Sequence, residues 1–80
     1  MILREYFENY LQTRGMCPKE AALVMDILVA DKIFKEVKWE SAKEDYFEGL
    51  LVVLRMTVNR FALDWIKENK PEAWYRPVFE

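Results

Sequence analysis

The stretch DYFEGLLVVLRMTVNRFALDWIKEN, residues 45–69, decides the fold. It contains no proline, and its one glycine, Gly49, lies near the start. Phe47, Leu51, Leu54, Val58, Phe61 and Trp65 recur at alternating steps of four and three, which at about 100° per residue gathers them on one stripe of a helix. Asp45 followed by Glu48 matches a capping box in its Asp form, so the spacing predicts a helix over 46–69, ~34 Å long. Pro71 disfavours helical geometry in the residue before it and ends the element at Asn69 and Lys70.

Two shorter helices are expected upstream. Over residues 2–14, Leu3, Phe7, Tyr10 and Leu11 share a face opposite Arg4, Glu5, Glu8, Asn9 and Gln12, and Gly15 can adopt the left-handed conformation that closes a helix. Pro18 suits the first turn of a second helix over 18–31, where its missing N–H costs nothing and Glu20 favours the positive end of the dipole. That helix is apolar nearly all round, with Asp26 the only ionisable residue between Glu20 and Asp31, and this pattern predicts burial between neighbours. A buried strand over 23–29 competes, because Val and Ile favour sheets, but the proline start and the alanines favour helix. Between Asp31 and Lys43 the apolar residues thin to Ile33, Phe34, Val37 and Trp39, which predicts a long loop anchored by aromatic side chains.

Three helices in 80 residues make an all-α fold, a small antiparallel three-helix bundle in a single domain with a long C-terminal helix as its spine. The third helix outreaches the second. The tail over 71–80, with Trp74, Tyr75 and Phe79 between and after its prolines, is expected to fold back over the far end near Trp65.

Composition narrows the chemistry. The chain has 12 basic and 14 acidic side chains, no histidine and one cysteine, so a zinc site lacks its usual ligands, Cys17 has no internal disulfide partner, and no cofactor is expected. Ser41 and Cys17 lie in predicted turns without a base to activate them, and Gly15 and Gly49 stand too far apart for a phosphate-cradling loop. Glu40, Glu44, Asp45 and Glu48 cluster at the head of the third helix, where dipole complementarity accounts for them better than a calcium loop. An enzyme is not expected.

A net charge of −2 supplies no long-range attraction for nucleic acid. Lys32, Lys35 and Lys38 form a strip that Glu36, Glu40 and Glu44 neutralise, and residues 18–30 offer little beyond Lys19 to meet base edges as a helix–turn–helix reader. No apolar run approaches the ~20 residues that cross a bilayer, and the first residues lack the apolar core of a signal peptide. The expectation is a soluble cytoplasmic protein without membrane contact.

The apolar share is 52% with 15% aromatic, more than a core this small hides easily. On the third helix Val52, Met56 and Leu63 form a second stripe flanked by Arg55, Asn59, Arg60 and Lys67. Either the first two helices cover this stripe, or it meets a partner or a second copy, with methionine adapting to shape and arginine forming the rim. Trp74, Tyr75, Arg76 and Phe79 carry the same two readings, as a plug over the bundle or as interface anchors.

The stretch Ala62-Leu63, Trp65-Ile66, Asn69, Pro71 and Ala73-Trp74-Tyr75-Arg76-Pro77-Val78-Phe79 resembles the C-terminal end of short uncharacterised proteins encoded by tailed phages and prophages. Leu11, Arg14-Gly15-Met16 and Trp39 fit the same pattern. The resemblance implies a setting, the bacterial cytoplasm during phage gene expression, and assigns no site residues. The expected function is a non-enzymatic adaptor that works by protein–protein contact, including self-association through the third helix. Its candidate interface is Val52, Met56, Arg60, Leu63, Trp74, Tyr75, Arg76 and Phe79. The alternative is a small nucleic-acid-binding regulator using Lys32, Lys35, Arg55 and Arg60.

Overall fold

A computed structural model of the chain describes residues Met1–Asn69 as an all-α three-helix bundle. Helix α1 spans Leu3–Thr13, α2 Pro18–Ala30 and α3 Glu48–Asn69, with short 3-10 turns at Lys32–Phe34 and Lys43–Asp45. The expected tail contacts, including those of Trp74 and Phe79 near Trp65, lie outside the described residues.

Helix α1 buries Leu3, Phe7 and Leu11 completely. Its C-terminus closes in a Schellman arrangement: the Met16 N–H bonds to the Leu11 carbonyl at 3.2 Å, the Gly15 N–H bonds to Gln12 at 3.1 Å, and Gly15 sits at φ 109°. Met16, two residues beyond the cap, is buried in the core with Leu11. The α1 N-terminus has no side-chain cap. Its first two N–H groups are satisfied from far along the chain, Leu3 by the Ser41 carbonyl at 2.8 Å and Arg4 by the Trp39 carbonyl at 2.9 Å. An isolated antiparallel bridge joins Ile2 to Ala42, and the Lys43 N–H donates to the Met1 carbonyl at 2.9 Å.

The long connection is thus a strap across the start of α1, and aromatic side chains hold it. Trp39 is buried and meets Phe7 edge-on, with ring centroids 5.9 Å apart. Phe34 packs on the same indole at 6.3 Å. The Tyr46 hydroxyl accepts from the Lys38 N–H at 3.0 Å and lies 3.2 Å from the Lys38 carbonyl, to which it donates, pinning the strap at its middle.

Helix α2 begins at Pro18, as the sequence indicates, with extended Cys17 before it. It is not sandwiched. Ala21, Val24, Met25 and Leu28 are buried on one face, whereas Leu23 and Ile27 are exposed. Asp26 on its outer side pairs with Arg4 of α1, whose guanidinium also bonds to Glu8, and the bond to Asp26 is the chief cause of an Arg4 pKa above its ordinary value.

Helix α3 starts two residues later than the capping-box reading places it. Lys43–Asp45 forms a separate 3-10 turn, Tyr46 is extended, and the helical ladder begins when the N–H groups of Leu50 and Leu51 bond to the Phe47 carbonyl, both at 3.1 Å. The buried face also differs. Leu51, Leu54, Val58, Ala62 and Ile66 go inward at steps of three, four, four and four, with Phe61 and Trp65 half-buried beside them and Phe47 exposed. The inward residues follow the i+4 ridge of a straight helix, whereas the alternating four-three stripe suits a coiled seam.

Replacing Trp39 by Ala removes the indole that packs on Phe7 and Phe34 and should cost ~3–5 kcal/mol. That is a large share of the roughly 4–12 kcal/mol available to a chain of this size. Urea unfolding followed by circular dichroism should show the loss as a lowered midpoint, and an unchanged midpoint would remove the strap from the account of stability.

Candidate interaction surface

The outer side of α3 is where unspent apolar surface collects. Gly49 has no side chain, and the Phe47 ring lies against it, so close that an added Cβ would sit 3.0 Å from the ring. The ring is therefore laid along the helix, yet Phe47 remains 72% exposed. At about 100° per residue, Val53 and Met56 lie on the same side of α3 as Gly49, one and two turns further on. They are 56% and 47% exposed. Phe47, Val53 and Met56 thus form one continuous apolar stripe, with exposed Arg60 a turn beyond Met56.

The sequence-derived interface is only partly presented. Met56 and Arg60 are exposed, whereas Val52 and Leu63 lie half-buried on the flank. Trp74, Tyr75, Arg76 and Phe79 fall outside the described residues. Two expected rim residues are engaged inward. Asn59 is fully buried and its side-chain amide donates to the Tyr10 hydroxyl of α1. Arg55 donates to the Tyr6 hydroxyl at 2.7 Å and to Glu48 at 2.8 Å, tying α3 to α1.

Sequence reasoning missed Val53 and the outward turn of Phe47. The one usable signal was Gly49, since a glycine two positions after an aromatic residue at a helix start leaves room for the ring to lie down. Val53 sits in the apolar run Leu50–Leu54, where position along the sequence alone does not separate inward from outward residues.

Beside the stripe lies an open groove of about 270 Å³ between α3 and the Lys32–Phe34 turn. Phe34, Phe61 and Ile33 supply its apolar surface, with Asp31, Thr57, Arg60 and Asp64 around them. Ile33 is 81% exposed. Asp31 caps the turn through its carboxylate, which accepts from the Ile33 N–H at 2.9 Å.

Of the basic residues considered for nucleic acid, Lys32, Lys35 and Arg60 are exposed and Arg55 is committed to Tyr6 and Glu48. Among the described residues no group of three His, Cys, Asp or Glu side chains is placed to hold a metal ion, and no helix is long and apolar enough to cross a membrane. Comparison with protein-family models, with characterised proteins and with solved structures finds no match to this chain.

The Arg55 guanidinium holds Glu48 below its ordinary carboxylate pKa, and the hydrogen bonds to Glu48 and Tyr6 raise that of Arg55. A lowered carboxylate pKa contributes stability that is fully present above the unfolded value of about 4.3 and is lost as pH falls through the folded value. Glu48→Gln should therefore unfold at a lower urea concentration than the wild type at pH 7. The two midpoints should converge in acid below that window, and a gap that persists there would assign the effect to something other than this pair.

Proposed function

We propose that this protein is a non-enzymatic interaction module that engages another protein through the outer stripe of α3. The observation that carries the reading is the exposed run Phe47, Val53 and Met56 on a helix whose opposite face already fills the core. Scattered apolar residues on a surface need no explanation, but a contiguous apolar stripe bordered by arginine has the composition of an interface centre with its rim. Methionine suits such a site, because its unbranched side chain adapts to the shape it meets. A chain with no histidine, a single serine and a single cysteine has little with which to activate a nucleophile, and this supports a binding role over a catalytic one.

The setting we propose is that of a phage- or prophage-encoded adaptor acting in the bacterial cytoplasm. The tail residues Trp74, Tyr75, Arg76 and Phe79 belong to this proposal as further contact points, since Trp, Tyr and Arg dominate interface energetics.

The test is affinity capture from a bacterial host with the folded protein, alongside a Val53→Lys, Met56→Lys double variant and a Trp74→Ala, Tyr75→Ala double variant. Both positions in the first variant are exposed, so its helical circular dichroism should match the wild type and its unfolding free energy in urea should stay within ~0.5 kcal/mol of it. Specific capture of a protein should fall at least ~10-fold, the effect of losing ~1.4 kcal/mol of interface energy. Equal capture by wild type and the Val53, Met56 variant would end the assignment of the stripe. Loss in the tail variant alone, with its fold intact, would move the contact to the tail.

A further inference from the structure

The groove between α3 and the Lys32–Phe34 turn has two features that belong together. It is a hollow with an aromatic floor, Phe34 and Phe61, and at its edge stands Ile33, an aliphatic side chain 81% exposed. Knob and hollow are adjacent on one surface. A contact in which a knob enters a hollow elsewhere on the next molecule propagates into open chains, whereas a patch carrying both closes on itself about a two-fold axis.

The charges at the groove have the same self-complementary order. Asp31 is occupied in capping the turn and the Thr57 hydroxyl bonds to the Val53 carbonyl at 2.9 Å, which leaves Arg60 and Asp64. Both are exposed, one helical turn apart on α3, and neither enters an ion pair among the described residues. A positive and a negative charge spaced by one turn read in reverse order on an antiparallel copy. Two α3 helices crossing antiparallel at this point therefore set each Arg60 against the other copy's Asp64, while each Ile33 enters the other's groove.

We infer that the occupant of this groove is a second copy of the same chain, in a closed two-fold dimer held by reciprocal insertion of Ile33 and reciprocal Arg60–Asp64 pairing. The inference rests on the reading that the chain works by protein contact; the groove adjoins the outer stripe and shares Arg60 with its end, while Phe47, Val53 and Met56 stay available to a foreign partner. The contact is small, at the low end of interface sizes below ~1,200 Å² in total, and such interfaces are weak. Dimerisation is accordingly expected at chain concentrations of roughly 0.01–1 mM.

Sedimentation equilibrium of the full chain across that range supplies the test. Wild type should shift reversibly from monomer to dimer. Arg60→Asp places two acidic residues on each copy and Asp64→Arg two basic ones, so each should weaken self-association at least ~10-fold, and Ile33→Asp should abolish it, with circular dichroism unchanged in all three. An equimolar mixture of Arg60→Asp and Asp64→Arg should associate again as a heterodimer, which a merely structural effect of either substitution cannot produce. A wild type that stays monomeric through 1 mM overturns the inference, as does a mixture no better than its components. Self-association lost in the Val53→Lys, Met56→Lys variant but indifferent to charge reversal would place it on the outer stripe, ending this inference while keeping the proposed function. Isotope-filtered nuclear Overhauser contacts from Ile33 and Phe61 to Trp74 or Phe79 of the same chain would give the groove to the chain's own tail and overturn it equally.

Discussion

Helix α1 has no capping side chain, and its start is completed by a segment almost forty residues away. The carbonyls of Trp39 and Ser41 accept the N–H groups of Arg4 and Leu3, while the Trp39 indole packs on Phe7 one turn along the same helix. Backbone satisfaction and apolar burial are thus supplied by one residue at one place. A helix of eleven residues is marginal in water by itself. Here its exposed donors and its apolar face are both covered by the strap, and the helices that share its core are ordered against a fixed element.

The arrangement on α3 follows from the same economy. Arg55 and Asn59 reach inward to Tyr6 and Tyr10 of α1, so polar groups fasten the two helices at the edges of an apolar seam. Buried polar groups are tolerable when hydrogen-bonded and costly when not, and these two tyrosines place their hydroxyls where the α3 side chains arrive. What stays exposed on the far side of α3 up to Arg60 is apolar: Phe47 laid over Gly49, then Val53 and Met56.

Much of this was legible in the residues. Gly15 and Pro18 punctuate the chain at positions where only a few conformations are sterically open, and both act as their chemistry dictates. Trp39 as an anchor in a polar segment was readable because an isolated indole among charges has few other uses. The inward face of α3 was harder to assign. Leu51, Leu54 and Val58 satisfy both a straight ridge and a coiled seam, and the two diverge only at Ala62 and Ile66 against Phe61 and Trp65, where helix crossing decides. The burial of Asn59 depends on Tyr10 standing opposite, a pairing 49 residues apart that no local pattern encodes. The exposure of Leu23 and Ile27 was hidden for the opposite reason, since Asp26 is the one charged residue in the apolar run and a single carboxylate marks the outer side of such a helix only weakly.

The bridge between Ile2 and Ala42 has a bearing on how the molecule comes into being. During synthesis the first helix emerges early, but the groups that complete it are translated more than thirty codons later. Until then the nascent segment carries an open helix start and an uncovered Phe7, so completion of α1 waits on an arrival from mid-chain, and the core closes only when α3 follows it. Among small helical proteins, which owe their speed to neighbouring contacts, this one contains a long-distance clasp at its first turn.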